Sequence, residues 1–558
     1  MKLAGINFSI LVLCVAAFAG APVQGGPLPS PLYPPDNWWN LDISAAPLDP
    51  GSAGFIGFIN SGGTKYLHPD FGGDAAPGSV ECYGFPYIVV DASQPKRTVT
   101  FSYSGESDGV DHATGQSYPF YPIPEEAITQ PHWIEGGQPG NVDLRNKADR
   151  HMLIYDRDNA HLYELYNVFF DGVRWLAGSG AFFDLNINGR RPQGWTSADA
   201  AGLAMLPGLV RYDEVFGPDE IRHAFRATVR ATNGYVYPAS HRAGSNPLAL
   251  PMGARIRMKA GFDISGYRPE IQKIFRAMKR YGLIVADNGS DMYVSGTYDT
   301  RWNNDILNPA FHSVGAQNFE IVQLGWQPPQ VTYFPHLAVG GGYTSVVTLI
   351  NTGADAASGT LAFVDQSGNP LRVALSGSAE GSSFPATIAA GAVLTLNVNP
   401  AAGTNSTISG WASFAGTGGS LSGVVSFQAS RGEVLSSIAG VLAAQPADSV
   451  TIPVDNDEIQ ERYTGFAVAN PGSQELRVRL SLLNSQGNVV QDFAPSGLNP
   501  LAPQGQVAVF VHQLIPSAAR FRGSAVLASD NQARFVATAL VQDRGLFTAI
   551  PVLPGKSQ

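Results

Sequence analysis

Between Asp184 and His241 the chain gathers Asp184, Asp199, Arg211, Asp213, Glu214, His223, Arg226 and His241, with Trp195 and Tyr237 among them. Small residues, Gly194 and the run Ser197 to Gly202, separate these groups and let backbone segments approach closely. Carboxylates, imidazoles and guanidinium groups so placed are the material of acid–base chemistry. Glycoside cleavage needs one carboxyl to protonate the leaving oxygen and a second as base or nucleophile, about 5–10 Å away. It also needs aromatic faces against the sugar rings. Asp199, Glu214, His223 and Asp287 are the candidate catalytic residues, and Trp195, Arg226, His241, Arg255 and Trp302 the candidate substrate contacts.

Each candidate also has a plainer reading. Asp199 follows Thr196 and Ser197 where a short Ala-rich helix is expected, so it can serve as an N-cap. Glu214 can pair with Arg211 or Arg226, and Asp287-Asn288-Gly289 has the composition of a turn. His223 falls on an expected strand, where a hydrogen-bonded structural histidine is common. A lyase is the enzymatic alternative, with Arg226 or Arg255 meeting a uronate carboxylate and His223 or a tyrosine removing the proton. No His-Glu-x-x-His or Cys-x-x-Cys occurs. His151 and His161, with Asp156 and Asp158 between them, are the one weak metal set, and no metal or cofactor is expected. A classical serine hydrolase is not expected either.

These residues need a scaffold, and composition describes it. At 558 residues the chain exceeds one ordinary core. Its 62 glycines and 40 prolines favour turns and strands over long helices. A net charge of −10 argues against nucleic acid as a partner. Lys2, the apolar run Phe8 to Phe18 and Ala17-Phe18-Ala19 read as a signal peptide over residues 1–19, implying secretion. Bulky Leu13 before Cys14 does not fit a lipoprotein signal. Cleavage leaves Cys82 without an intrachain partner, and it reads as a small hydrophobe.

Residues 20–37 form a proline-rich lead-in expected to lie extended over the surface. Residues 38–327 hold seven of the eight tryptophans, 16 of the 20 tyrosines and eight of the ten histidines. Residues 331–445 and 446–558 are poor in aromatics and charge and repeat each other. Tyr343-Thr344 recurs as Tyr463-Thr464, Asn351-Thr352-Gly353 as Asn470-Pro471-Gly472, Ser367-Gly368-Asn369 as Gln486-Gly487-Asn488, and Gly410 as Gly523. Short alternating stretches with turn residues every 8–12 positions or about that predict antiparallel sandwiches. The whole is expected to be mainly β: a large β-rich, sandwich- or jelly-roll-like domain with at least one helix, then two tandem antiparallel β-sandwiches. The helix follows Pro269, with Ile271, Ile274, Phe275 and Met278 on one face and Gly282 as its stop. Lys273, Arg276, Lys279 and Arg280 make its other face, expected to be solvated.

The segments His151 to Asp156, Leu162 to Tyr166, Gly194 to Gly202, Arg211 to Val215, His223 to Arg226, Tyr237 to His241, Pro251 to Arg255 and Arg276 to Gly289 resemble a widespread family of secreted bacterial proteins. The resemblance covers residues 34–325 or thereabouts and implies one intact domain there; it brings no reaction with it. The C-terminal pair resembles tandem sandwich modules attached to secreted acidobacterial proteins. The combined expectation is a secreted, monomeric carbohydrate-active protein without a membrane span, meeting a polysaccharide or cell-surface glycan. A glycosidase is favoured over a lyase, and a non-catalytic glycan-binding or adhesion protein is the rival.

Overall fold

The computed structural model describes residues 21–555 apart from 354, 433 and 532. The expected leader, with Cys14, lies outside the described residues. The chain is mainly β, with 41% of residues in strands and 11% helical. It divides at Trp326–Gln327 into two compact units. Among the described residues no helix is long and apolar enough to cross a membrane.

In the first unit one sheet runs in the order Val23–Gln24, Tyr87–Val90, Met152–Asp156, His161–Tyr166, Ser179–Asp184. Strand alternation sends its side chains to two different cores. Val89, Leu153, Tyr155 and Leu162 enter the main core, whereas Ile88, Val90, Ile154 and Leu165 enter a second core with Phe101, Tyr121 and Trp175. This sheet is therefore a middle layer. A six-stranded sheet orders Phe319–Ile321, Arg255–Met258, Leu283–Asn288, Phe225–Val229, Tyr293–Ser295 and His68–Asp70. It contributes Phe225, Ile256, Leu283 and Ile284 to the main core. Both sheets are mixed, since Tyr87–Val90 runs parallel to Met152–Asp156 and Phe225–Val229 parallel to Leu283–Asn288.

The helix is Pro269–Arg280, with Ile271, Ile274, Phe275 and Met278 buried. Its basic face is solvated in part: Arg276 and Arg280 are exposed as expected, whereas Lys273 is not. Lys273 is buried and its Nζ donates to the Glu214 and Gly217 carbonyls, at 2.5 and 2.8 Å. Arg276 pairs with Glu220, Arg280 with Asp42, and Lys279 donates to the Ala260 and Phe262 carbonyls. Lys273 and Lys279 thus satisfy loop carbonyls, whereas Arg276 and Arg280 are balanced by carboxylates at the surface. The lead-in is likewise more than a surface strap. Val23–Gln24 extends the first sheet, and Ser30 reaches Glu214.

In the second unit both repeats are antiparallel. The first packs Gln330–Val339, Ile408–Thr417, Ala357–Asp365 and Ser383–Ile388 against a sheet centred on Tyr343–Asn351 and Leu421–Arg431. Phe334, Leu349, Phe363 and Val425 fill the space between. The sequence repeats become repeated contacts. Asn351 Nδ2 donates to the carbonyls of Asp355, Ile388 and Ala389, and its Oδ1 accepts from Gly353 N. Asn470 does the same with Gln474, Leu501, Ala502 and Gly472. Gly410 and Gly523 also match: a Cβ on either would stand 2.0 Å from a carbonyl oxygen of the adjacent strand, Val364 or Leu483. Asn470→Ala is expected to leave several buried carbonyls without donors and to lower stability by about 2–3 kcal/mol. Urea unfolding of Asn470→Ala and Asn351→Ala checks this, the two losses being similar if the clamps are equivalent.

Candidate functional site

Two polar clusters in the first unit hold most of the sequence candidates. The first surrounds Glu214 in the helix Tyr212–Phe216. Glu214 accepts from Ser30 Oγ at 2.6 Å, lies 2.9 Å from Arg211 Nη2, and meets His223 Nε2 at 2.9 Å. His223 Nδ1 faces the Ala224 carbonyl at 2.9 Å. A carbonyl only accepts, so Nδ1 carries a proton, and the ionised Glu214 takes the other. Burial works against the Glu214 charge, but His223, Arg211 and Ser30 outweigh it and bring the carboxyl down to about 2. Glu214 and His223 thus form a buried, satisfied ion pair rather than an acid and a base awaiting substrate.

The second cluster is built on the parallel pair Phe225–Val229 and Leu283–Asn288. Its register slips between Ala227 and Thr228, where Ala227 faces Val285 and Thr228 faces Asp287. Ala286 is the extra residue of a β-bulge, a device that re-aims the next side chain. The Ala286 carbonyl accepts from Ala201 N at 2.9 Å, which docks the 194–205 loop beside it. Ser197 Oγ accepts from Asp199 N at 2.9 Å and donates to the Leu203 carbonyl, closing this loop as turns. The short helix expected after Asp199 does not form, because these side-chain bonds compete with it. Gly202, at φ +72°, is required here: a Cβ would stand 2.0 Å from Ser240 Oγ.

Arg226 lies at the centre. Its Nε and Nη2 grip Asp199 through both carboxylate oxygens at 2.8 Å, Nη1 donates to Ser295 Oγ at 2.7 Å, and Nη2 reaches Asp287 Oδ2 at 3.3 Å. The Asp199 and Arg226 side chains are 0% and 4% exposed, whereas that of Asp287 is 26% exposed. Close by, His151 Nδ1 donates to Glu135 Oε2 at 2.6 Å and Nε2 to the Ala198 carbonyl at 3.0 Å. Both ring nitrogens are occupied, so His151 is not open to a metal. Among the described residues no three His, Cys, Asp or Glu side chains are grouped to hold one. Glu164 accepts from the Met205 and Leu206 amides.

The cluster holds more carboxylates than cations, so some must stay protonated. Burial, then the charge of Asp199, pushes Asp287 up to about 7. Burial also raises Glu164 to about 7. For His151, burial opposes the charge but Glu135 overrides it and raises the imidazole to about 9.

Folding therefore couples to pH in a stated direction. Folded Asp287 and Glu164 keep protons that the unfolded chain releases near 3.8 and 4.5, so their effect on stability worsens as pH rises towards 7. The His151 contribution is complete below 6.5 and lost as pH rises through about 9. That of Glu214 is present above 4.5 and lost as pH falls towards 2. The melting temperature is expected to peak near about pH 5 and to fall on both sides, as calorimetry across pH will read.

Asp287 forms part of the wall of an open cavity of about 420 Å³, with Tyr103, Glu106, Asp149, Tyr166, His241 and Asn288. Glu106 is fixed by accepting from Thr196 N at 3.0 Å. His241 Nδ1 faces the Ala200 carbonyl at 2.8 Å, so Nδ1 carries a proton, and Nε2 is the ring nitrogen left for a ligand. The Tyr166 phenol is held protonated, chiefly by burial and by Asp149. No lysine or arginine is among the described lining residues.

Of the sequence candidates, then, Asp287 and His241 line the cavity, and Asp199 and Arg226 stand behind Asp287. The others lie elsewhere. Trp302 is a core residue against Phe71 and Tyr212, its Nε1 donating to Thr297 O. Trp195 is half-buried against the His112 ring and the Arg191 guanidinium. Arg255 is buried, donates to the Trp38 carbonyl at 2.6 Å, and is brought down to about 10 by burial. Tyr103, Glu106, Asp149, Tyr166 and Asn288 were not among the candidates. One signal points at Glu106: Gly105-Glu106-Ser107-Asp108-Gly109 has nucleophile-elbow spacing. Ser107 is no nucleophile, being fully buried with its Oγ donating to Tyr103 O and accepting from Gly180 N. No family model matches the sequence, and no curated protein or solved structure is similar enough to it to carry an inference.

Proposed function

We propose that the first unit is a secreted glycoside hydrolase acting on an uncharged extracellular polysaccharide, with Asp287 as its general acid. The observation that carries this reading is a carboxyl held protonated to about pH 7 on the wall of an open cavity that also presents Glu106 and Asp149. Protonating a glycosidic oxygen requires such a group at neutral pH. Glu106 is assigned as the second carboxylate: Thr196 N holds Oε2, leaving Oε1 to orient a water or meet the anomeric carbon. Exposed Tyr103 supplies an aromatic face for a sugar ring, and His241 Nε2 accepts from a sugar hydroxyl.

The absence of lysine and arginine from the described lining favours a neutral glycan over a uronate. A lyase would need a cation for the substrate carboxylate, but Arg226 is committed to Asp199, and Arg255 is buried and does not line the cavity. The test is to incubate the purified chain with neutral and uronic polysaccharides, reading reducing ends and the absorbance of unsaturated products. Release from a neutral glycan is expected, with Glu106→Gln reducing it about 10²-fold or more. Unsaturated products from a uronic polymer would overturn the hydrolase reading, and binding without turnover across the panel would favour a glycan-binding protein.

A further inference from the structure

The C-terminal pair, which looks inert in sequence, contains a cavity of about 460 Å³. That lies within the about 300–1,000 Å³ typical of small-molecule sites. Both repeats build it. Tyr343 and Phe427 come from the first, and Phe466, Phe510 and Phe547 from the second. The Phe427 and Phe547 rings meet at 6.0 Å in a tilted, edge-on contact. No Asp, Glu, Lys or Arg is among the described lining residues. A charged ligand would enter with its charge unpaired against apolar walls, which is strongly unfavourable.

One polar group has a defined orientation. His336 lines the cavity, with the Phe427 ring perpendicular to it at 5.3 Å. Burial brings its imidazole down to about 4, so it is uncharged at neutral pH. Its Nδ1 lies 3.1 Å from Gln506 Nε2. That amide nitrogen also donates to the Pro335 carbonyl at 3.3 Å, which fixes the amide orientation. Nδ1 must then accept, and the ring proton sits on Nε2, which has no hydrogen-bond partner among the described residues. The cavity thus combines aromatic walls with an uncommitted neutral N–H donor.

We propose that this cavity binds a small uncharged aromatic molecule bearing a hydrogen-bond acceptor, its ring against Phe427 and Phe547 and its acceptor on His336 Nε2–H. The site is independent of the glycosidase reading. Its probe is 2-naphthol, fluorescent and uncharged near neutral pH, titrated against the full chain beside 2-naphthoate, which carries a carboxylate on the same rings. Saturable binding of one naphthol per chain is expected, with naphthoate at least about tenfold weaker. Ala508 lines the cavity and is exposed, so Ala508→Trp fills the rim without disturbing a core and should abolish binding. His336→Phe should weaken it about five- to tenfold, the loss of one hydrogen bond. Equal affinity for naphthoate, no saturation up to about 1 mM, or binding retained by an Ala508→Trp chain that melts normally would each overturn the proposal. If a variant melts lower, the naphthol–naphthoate comparison on the unaltered chain still decides.

Discussion

Asp287→Asn is expected to lower turnover of a natural polysaccharide about 10²–10⁴-fold while leaving the melting temperature at neutral pH unchanged or raised. An amide copies the shape of the protonated carboxyl. Its one oxygen can keep the 2.7 Å bond from Asn288 N, giving up only the longer 3.3 Å contact with Arg226 Nη2, which also donates to Asp199. It adds no charge beside Asp199. What it cannot do is give a proton to a leaving oxygen. Aryl glycosides with acidic leaving groups need little protonation, so the Asn variant should retain far more of its activity on them. An alkaline limb set by Asp287 near 7 is expected for the unaltered chain and should vanish in the variant. Full turnover of the polysaccharide by Asp287→Asn, with that limb intact, would remove Asp287 from the chemistry.

The contrast between Asp287 and Glu214 shows how far sequence carries such a reading. Both are carboxylates beside aromatic and basic residues, and linear spacing treats them alike. Partners separate them. Glu214 is enclosed by Ser30, Arg211 and His223 and driven to about 2, whereas Asp287 is placed by a bulge at Ala286 and driven to about 7. Neither the bulge nor the contact with Ser30, distant in the chain, leaves a local pattern. The cavity walls come from Tyr103, Asp149, Tyr166, His241 and Asp287, which no short motif spans. Features with a local cause were legible. The helix Pro269–Arg280 follows from its apolar spacing, and the repeats from the recurring Asn-x-Gly motif, whose Asn accepts from the glycine two residues on. The second cavity was not legible, because its aromatic residues are divided between two repeats that each look plain.

Arg226→Met should produce the largest loss of stability, about 3–5 kcal/mol at neutral pH, because it leaves the fully buried Asp199 without a counter-charge. Arg226→Lys should not rescue it, since an ammonium cannot engage both carboxylate oxygens in the observed fork. Arg226→Met combined with Asp199→Leu should recover much of the loss, because an apolar pair leaves no charge to desolvate. The same variants bear on chemistry through Asp287. Asp199→Asn removes a neighbouring negative charge and should lower the Asp287 titration below about 7, whereas Arg226→Met should raise it. The alkaline limb of turnover should move with it, down in one variant and up in the other. On the glycosidase reading Arg226 and Asp199 are thus positioning residues, acting on the chemistry only through the proton that Asp287 holds. Unequal stability losses with an unmoved limb would confine the pair to a structural role.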